Sequence, residues 1–405
     1  MKLSGSYHIM AKPTGSLCNL DCKYCFYLEK EKLYPSVKSW KMSDMVQEYF
    51  IKQYIQSQTT DEITFAWQGG EPALNGVEFY ERAVELQKRY SDGRVIKNTF
   101  QTNGVLLDDE WGRFFKKNEF LIGLSIDGPK EIHDKYRVMK GGQPSFEKVM
   151  NGLNILKKHG VEFNTLTVVQ RDNSYKALEV YEFLKEIGSR YMQFIPIVER
   201  ERVNRDDGGL NLISPDFKGK AKLTEWSVEP LQYGIFLQEI FDKWVRNDVG
   251  NIFVQIFDVA LEVWYGYNAN ICVFNETCGR AMALEHNGDL YSCDHFVYEE
   301  NKLGNILNSH IEQLVDSGQQ VKFGLDKKMT LPQYCKNCEV KFICNGECPK
   351  HRFIKTPDGE EGLNYLCAGY KHFFNYIAPY MEYMVTQLDQ HKPPSNVMKW
   401  DYKTS

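Results

Sequence analysis

The eleven cysteines fall into two groups, and this distribution constrains the fold more than any other feature of the 405-residue chain. Three lie near the amino terminus, at Cys18, Cys22 and Cys25, and the other eight lie between Cys272 and Cys367. The first residues lack the apolar core of a signal peptide, so we expect a cytoplasmic protein. Thiols stay reduced there, and clustered cysteines bind metal more often than they form disulfides. The sequence therefore predicts two separate metal-binding regions.

The composition is that of an ordinary globular protein, with 42% hydrophobic and 25% charged residues, large enough for two domains. A net charge of −5 and the absence of a Lys/Arg block argue against nucleic acid and membrane surfaces as partners. No stretch approaches the roughly 18 uninterrupted apolar residues of a membrane span. We expect a monomer whose partners are a protein, a peptide or a small molecule.

Between residues 6 and 200, short β-rich runs alternate with amphipathic helical runs, a pattern typical of βα units and a parallel sheet. The predicted strands are Tyr7–Pro13, Glu62–Gln68, Val95–Thr102, Leu121–Ile126, Glu162–Val169 and Tyr191–Val198. The predicted helices between them are Asp44–Gln56, Glu78–Tyr90, Asp109–Lys117, Ser145–His159 and Ser174–Ile187. The predicted fold class is α/β, and six such units favour a partial (β/α)6 barrel with its active site at the carboxyl ends of the strands.

The periodicity predicts three regions. Residues 1–229 form the partial barrel, which ends in a charged, glycine-containing connector at about 199–219. Residues 230–370 form a small cysteine-rich domain that opens with helices at Pro230–Asn247 and Ile256–Tyr265. Residues 371–405 form a C-terminal helical segment. The cysteine-rich part has little continuous hydrophobic periodicity, so metal should supply much of its stability.

The first cysteine group has the spacing C-x3-C-x2-C on a loop that follows the first predicted strand. A [4Fe–4S] cubane held by only three thiolates would keep one iron open, and an open position on a metal is what chemistry requires. A structural zinc site needs four ligands. His8 is the nearest candidate for a fourth ligand, and it lies within the predicted strand. The ligand count therefore disfavours zinc here.

In the form C-x3-C-x-aromatic-C, the same residues resemble the defining motif of the radical S-adenosylmethionine (SAM) enzymes, whose fold is a partial (β/α)6 barrel. The resemblance implies that Cys18, Cys22 and Cys25 hold a cluster whose open iron chelates the amino and carboxylate groups of SAM. One electron then breaks a C–S bond of SAM, and the resulting 5′-deoxyadenosyl radical takes a hydrogen atom from the substrate.

Two glycines follow the second predicted strand, in Gly69-Gly70-Glu71-Pro72. This turn resembles the GGE segment of the same family, where backbone close to the methionine end of SAM requires glycine. The resemblance implies cofactor contacts at Gly69, Gly70 and Glu71. Further positions that resemble cofactor contacts are Tyr24, Asn103, Ser125, Arg137 and Val198. Ordinary turn or core packing is the alternative for each of them.

The eight later cysteines would suffice for two clusters of four thiolates, although zinc ribbons would satisfy the same spacing. They read Cys272-x5-Cys278-x14-Cys293, then Cys335-x2-Cys338-x5-Cys344-x3-Cys348, then Cys367. This pattern resembles the SPASM extension, which marks radical enzymes that act on peptides and proteins. The implied ligands are Cys272, Cys278, Cys293 and Cys348 for a first auxiliary cluster, and Cys335, Cys338, Cys344 and Cys367 for a second. Three [4Fe–4S] clusters would then use every cysteine.

Over nearly its whole length the chain resembles the anaerobic sulfatase-maturating enzymes. The runs that carry the resemblance are Phe26-Tyr27, Trp67-Gln68-Gly69-Gly70-Glu71-Pro72, Gly123-Leu124-Ser125-Ile126-Asp127-Gly128 and Gly288-Asp289-Leu290-Tyr291-Ser292-Cys293-Asp294. Such enzymes oxidise one Cys or Ser of a sulfatase, in a Cys/Ser-x-Pro-x-Arg signature, to Cα-formylglycine. The implied partners are an unfolded or nascent sulfatase polypeptide and an external electron carrier such as ferredoxin or flavodoxin.

Formylglycine formation needs a base and an electron acceptor together, because the substrate loses a hydrogen atom, a proton and an electron. Asp294 directly follows Cys293 and resembles the proposed general base of the family. A free Asp has a pKa near 4, so we expect desolvation to raise the pKa of Asp294. Tyr27 and Gln68 resemble substrate-facing positions, with core packing as the alternative, and His295 receives no role.

Two other functions remain open at this point. One is a SPASM enzyme that modifies another ribosomal peptide; such enzymes usually carry a leader-peptide-binding domain, and only 17 residues precede Cys18. The other is a non-catalytic metal protein, either an iron–sulfur electron carrier or a zinc-stabilised binding module. The open coordination site argues against a carrier, because it would expose the cluster needlessly.

Overall fold

The computed structural model describes residues 6–34, 39–203, 212–217 and 219–400. Its strands are β1 His8–Lys12, β2 Glu62–Trp67, β3 Val95–Thr102, β4 Leu121–Ser125, β5 Phe163–Val169, β6 Tyr191–Pro196, β7 Arg200–Arg202, β8 Ala221–Leu223, β9 Phe253–Val254, β10 Ala281–Glu285, β11 Asp289–Tyr291, β12 Lys302–Asn305, β13 Ile354–Lys355 and β14 Glu361–Leu363.

The α-helices are α1 Asp44–Ser57, α2 Val77–Tyr90, α3 Asp109–Lys117, α4 Lys130–Tyr136, α5 Phe146–His159, α6 Ala177–Glu186, α7 Pro230–Asn247, α8 Gln255–Trp264, α9 Ile311–Val315, α10 Gly318–Met329, α11 Gln333–Lys336, α12 Lys341–Cys344 and α13 Cys367–Asp389. Short 3-10 helices lie at Leu28–Leu33, Pro72–Asn75, Asn173–Tyr175, Asp294–Phe296, Glu299–Asn301, Pro349–His351 and Pro394–Lys399.

The six predicted strands form the centre of one sheet, in the order β1-β2-β3-β4-β5-β6, and every neighbouring pair is parallel. Alternate side chains are buried along them; in β2 these are Ile63, Phe65 and Trp67. The prediction of an α/β fold with parallel βα units is therefore confirmed. The sixth strand ends at Pro196 rather than Val198. Helix α4 was not predicted, because its seven residues are too few to show a helical period.

The cysteine-rich segment extends the same sheet. Strand β10 pairs with β1 in parallel, and β11 and β12 follow it in antiparallel orientation. Met282 and Leu284 of β10 belong to the same hydrophobic core as Ile9 of β1 and Phe65 of β2. The second group of cysteines is thus built directly onto the edge of the parallel sheet, next to the strand that leads into the first group.

Helices α7 and α13 pack closely where two glycines meet. A Cβ on Gly369 would lie 2.0 Å from the carbonyl oxygen of Pro230, and a Cβ on Gly234 would lie 2.5 Å from that of Gly369. Glycine is therefore required at this crossing. Helix α13 begins at Cys367, so the boundary predicted after residue 370 falls inside a helix. Within the described ranges, no helix is long and apolar enough to cross a membrane.

Candidate active site

A cavity of about 450 Å³ lies at the carboxyl ends of the parallel strands and brings the two cysteine groups together. Thr102 and Ser125, the last residues of β3 and β4, are part of its wall. The cysteines that line it are Cys18, Cys22, Cys25, Cys272, Cys278, Cys293 and Cys348. The two predicted metal-binding regions therefore adjoin one cavity.

The first cysteine loop is held in place by the segment that follows α4. The amide of Asp21 donates to the carbonyl of Val138 at 2.8 Å, and the amide of Lys23 donates to that of Tyr136 at 2.9 Å. Burial raises the pKa of the Cys18 thiol to about 12. A thiolate is therefore stable at this position only beside a bound cation, which is the chemistry of an iron–sulfur ligand.

None of the eleven cysteines forms a disulfide, so all of them are available as ligands. Among the residues that the structure describes, no three His, Cys, Asp or Glu side chains converge on one point in the way that a single metal ion requires. Cysteines of both groups nevertheless adjoin the one cavity described above.

The glycines after β2 fit against the cysteine loop without space for a side chain. A Cβ on Gly70 would lie 2.1 Å from the carbonyl oxygen of Leu17, and Gly69 has a φ of +122°. The amide of Gly70 donates to the carbonyl of Gly15 at 2.8 Å, and that of Glu71 donates to Leu17 at 2.9 Å. The glycine pair is thus required where backbone of the second strand end meets the first cysteine loop.

Six of the eight predicted cofactor positions line the cavity: Tyr24, Gly69, Gly70, Asn103, Ser125 and Arg137. Glu71 and Val198 are absent from its wall. The Glu71 carboxylate accepts hydrogen bonds from the Thr102 hydroxyl and from the Ala73 and Asn103 amides at 2.8 to 3.0 Å. It therefore holds Asn103 in place rather than facing the cavity. Burial raises the pKa of Glu71 to about 7.

Sequence reasoning missed Asp127, which orients two of the predicted cofactor residues. The Tyr24 hydroxyl donates to Asp127 Oδ2 at 2.5 Å, and Nε of Arg137 lies 3.1 Å from the same oxygen. Asp127 is almost fully buried, and its other oxygen accepts from the amide of Val168 at 3.1 Å. Asp127 lies two residues after the end of β4, and this place near the carboxyl end of a strand could have marked it as a site residue.

The thiols of the later group separate into two neighbourhoods. Burial raises the pKa of Cys293, and the adjacent Cys272 and Cys278 raise it further. The pKa of Cys348 is raised by burial and also by Cys293 and Cys272.

The second neighbourhood contains the other four thiols. Burial raises the pKa of Cys344 to about 12, with contributions from Cys367 and Cys335. Burial raises that of Cys367 to about 11, with contributions from Cys335 and Cys338. These electrostatic influences group the thiols in the same two sets of four that the resemblance implies.

Asp294 lies at the cavity with both carboxylate oxygens engaged. Oδ1 pairs with Nζ of Lys12 at 2.5 Å, and Oδ2 accepts from the Tyr27 hydroxyl at 2.6 Å. Nε2 of Gln68 donates to that hydroxyl at 3.4 Å. The structure thus brings Asp294, Tyr27 and Gln68 into one hydrogen-bonded group at the cavity wall.

The expected rise in the pKa of Asp294 is wrong in sign. Burial raises the pKa of this carboxyl, but the ammonium of Lys12, with a smaller contribution from the Tyr27 hydroxyl, lowers it by a larger amount. The net pKa is therefore below that of an ordinary Asp. Lys12 was not predicted as a site residue; a lysine that ends an otherwise apolar strand, His8–Lys12, was the available signal.

His295, which received no role, is half-buried, and its Nδ1 lies 3.6 Å from the sulfur of Cys348. Burial lowers its pKa to about 3, so the imidazole is neutral. Its ring meets that of Phe26 edge to face at 5.9 Å. In this way His295 connects the aromatic pair after the first cysteine group to a cysteine of the second.

Comparison with known proteins covers both cysteine groups. Residues 13–184 match the model of the Radical SAM superfamily, and residues 272–339 match that of SPASM, an iron–sulfur cluster-binding domain. A serine-type anaerobic sulfatase-maturating enzyme of Bacteroides thetaiotaomicron is 50% identical over 392 residues, which are 97% of this chain and 94% of the relative. A cysteine-type anaerobic sulfatase-maturating enzyme of Clostridium perfringens is 35% identical, over 92% of this chain and 96% of the relative.

Solved structures agree with these relatives. Native anSMEcpe with bound AdoMet and Cp18Cys peptide has a TM-score of 0.80 and 33% identity, and the match covers 95% of this chain and 100% of that one. Streptococcus suis SuiB bound to its precursor peptide SuiA has a TM-score of 0.60 and 14% identity, covering 90% of this chain and 76% of that one. At this lower identity the likeness to SuiB concerns the fold alone.

Proposed function

The chain belongs to the anaerobic sulfatase-maturating enzymes, and we propose that it oxidises one Ser or Cys of a sulfatase polypeptide to Cα-formylglycine. It is a radical SAM oxidoreductase whose cofactors are SAM and iron–sulfur clusters. The observation that carries the proposal is a single cavity shared by the first cysteine loop and by Asp294 beside Cys293. Such a cavity allows hydrogen abstraction from Cβ and deprotonation of the hydroxyl or thiol on that carbon within one substrate side chain.

We propose three cluster sites. Cys18, Cys22 and Cys25 would hold the cluster that binds SAM, and their position at the cavity wall supports this role. The first auxiliary cluster would use Cys272, Cys278, Cys293 and Cys348, and the second would use Cys335, Cys338, Cys344 and Cys367. The two thiol neighbourhoods described above support this division.

Bound at these sites, SAM and the clusters supply the radical that takes a hydrogen atom from Cβ of the target and a route by which the remaining electron leaves. The residues that would bind SAM are Tyr24, Gly69, Gly70, Asn103, Ser125 and Arg137. Arg137 would meet the SAM carboxylate because its guanidinium is a buried cation at the cavity wall, held by Asp127. Glu71 would act on the cofactor indirectly, through Asn103.

Asp294 would accept the proton of the substrate hydroxyl or thiol. A base with a low pKa suffices, because removal of a hydrogen atom from the adjoining carbon makes that hydroxyl or thiol more acidic than before. Tyr27 and Gln68 would position the same group, since both lie at the cavity and are joined to Asp294 by hydrogen bonds. The three side chains together define where the target side chain binds.

The remaining partners follow from the chemistry. A target residue must enter a cavity of about 450 Å³, so we propose that the substrate is an unfolded or nascent sulfatase. An external one-electron carrier, such as ferredoxin or flavodoxin, would exchange electrons with the enzyme. We place the reaction in the cytoplasm, where cysteines that form no disulfide stay reduced, and we expect a monomer.

Two synthetic peptides test the proposal, one with a Ser-x-Pro-x-Arg signature and one with Cys-x-Pro-x-Arg. Under anaerobic conditions with dithionite and SAM, we expect 5′-deoxyadenosine and an aldehyde-bearing peptide in equal amounts. The serine peptide should be the better substrate, since the relative at 50% identity is of the serine type. Formation of 5′-deoxyadenosine without oxidation of either peptide would reject sulfatase maturation.

A further inference from the structure

We infer that Lys12 is a positioning residue for the oxidation step, which holds the Asp294 carboxylate in the orientation that faces the substrate. The inference rests on the proposed function, because it acts on the proposed base. Lys12 is fully buried and does not line the cavity. Lys12 can therefore affect the substrate only indirectly, through the residues that it contacts.

The contacts of Lys12 leave Asp294 one orientation. Nζ lies 2.5 Å from Oδ1 of Asp294 and 3.4 Å from Oε1 of Glu285, and it sits over the Tyr27 ring at 4.6 Å. Lys12, which lies outside the cavity lining, holds Oδ1, so Oδ2 is the oxygen that accepts the hydrogen bond of the Tyr27 hydroxyl at the cavity. Lys12 thus supports both members of the hydrogen bond that faces the substrate.

The place of Lys12 in the fold explains why this contact is important. Lys12 is the last residue of β1, whose chain continues into the loop of Cys18, and it is in register with Glu285 at the end of β10. Asp294 directly follows Cys293. One buried ion pair therefore connects the loop where the radical is made to the residue that must accept the proton of the same substrate side chain. A displacement of about 1 Å between such groups can lower a rate about 100-fold.

A purely structural ion pair would behave differently from a positioning residue, and a double-mutant cycle separates them. The variants are Lys12→Met, Asp294→Asn and the double variant, with Glu285→Gln as a matched control that removes only the weaker partner of Lys12. Iron content and the Kd of a fluorescent Ser-x-Pro-x-Arg peptide are measured for each. Then 5′-deoxyadenosine and aldehyde peptide are quantified separately.

We expect Lys12→Met to retain its iron, to bind the peptide within twofold of the unchanged protein and to form 5′-deoxyadenosine normally. Its yield of aldehyde peptide should fall about 100-fold, as in Asp294→Asn, and the double variant should fall no further. Glu285→Gln should stay within threefold of the unchanged protein. Lys12→Arg keeps the charge and should recover part of the yield if Lys12→Met fails to load clusters.

Three results would overturn the inference. The first is an aldehyde yield of Lys12→Met within threefold of that of the unchanged protein. The second is a loss of yield in the double variant equal to the product of the two single losses. The third is an aldehyde yield of Lys12→Arg no higher than that of Lys12→Met. Failure of the proposed function would look different, because the unchanged protein would itself produce no aldehyde peptide.

Discussion

Substitution of Gly70 by alanine should damage both the stability and the chemistry of the protein. The added Cβ would lie 2.1 Å from the carbonyl oxygen of Leu17 and 2.6 Å from that of Ser16, and both are backbone atoms that cannot rotate away. The strand end and the cysteine loop must separate by about 1 Å to restore an ordinary contact. This movement breaks the hydrogen bonds from Gly70 to Gly15 and from Glu71 to Leu17, at about 1 kcal/mol each.

We therefore expect Gly70→Ala to lower the free energy of unfolding by about 2 kcal/mol, because two backbone hydrogen bonds are lost. The rate of SAM cleavage should fall about 100-fold, since the cysteine loop moves relative to the cofactor wall. Urea unfolding of the anaerobic protein measures the first effect, and 5′-deoxyadenosine formation measures the second. Gly318→Ala is the matched control, because its Cβ meets nothing within 4 Å. A Gly70→Ala variant as stable and as active as the Gly318→Ala control would refute the reasoning.

Three further predictions concern the base, the clusters and a buried acid. Asp294→Asn should retain 5′-deoxyadenosine formation and lose about 100-fold in aldehyde peptide, as chromatography of both products will show, because the proton acceptor is removed. Cys344→Ala should lower the iron content from about twelve to about eight atoms per chain in anaerobic iron analysis. Burial, with a smaller effect from Glu262, raises the pKa of Asp258 to about 7, so the native state keeps a proton that the unfolded chain loses. Stability should thus fall as pH rises from about 4 to 7, and Asp258→Asn should recover up to about 4 kcal/mol at pH 8 but little at pH 4, as measured by urea unfolding.

Each of these predictions has an outcome that contradicts it. Unchanged aldehyde formation in Asp294→Asn would remove its role as base. An iron content that stays near twelve in Cys344→Ala, or zinc in place of iron, would reject the proposed second auxiliary cluster. Equal effects of Asp258→Asn at pH 4 and pH 8 would show that the carboxyl does not titrate between them. Asp109→Asn is the control, because Lys158 and His159 lower the pKa of this exposed carboxyl. Its effect on stability at pH 8 should have the opposite sign, a loss rather than a gain.

The barrel elements were predictable because their signals are local. Val95–Thr102 and Asp109–Lys117 were predicted with the bounds that the structure has, since alternation and amphipathic spacing depend only on neighbouring residues. The short strands of the cysteine-rich segment were not predicted. Strand β10, Ala281–Glu285, is nearly fully buried and shows no alternation, because it is covered on both faces after it joins the parallel sheet.

The candidate site likewise has a part that was predictable from local sequence and a part that was not. The cysteine triad is recognisable from its spacing, and the Gly69–Gly70 turn from its place after a predicted strand in a chain that carries the triad. Cluster ligation and close backbone contact impose fixed residue types on short segments. The partners of Asp294 are not recognisable in this manner. Lys12 lies 282 positions before it in the chain, and the two meet only because β1 and β10 pair in one sheet.

Residue type and spacing by themselves predicted two metal-binding regions and a fold built from βα units, and the resemblance of the motifs to enzymes of radical chemistry implied iron–sulfur clusters. Only the tertiary structure decided that both cysteine groups share one cavity and that Glu71 faces Asn103 rather than that cavity. It also decided that the pKa of Asp294 is lowered rather than raised. The physical reason is that spacing along the chain governs local ligand geometry, whereas burial and charge at a site depend on side chains that distant segments bring to it.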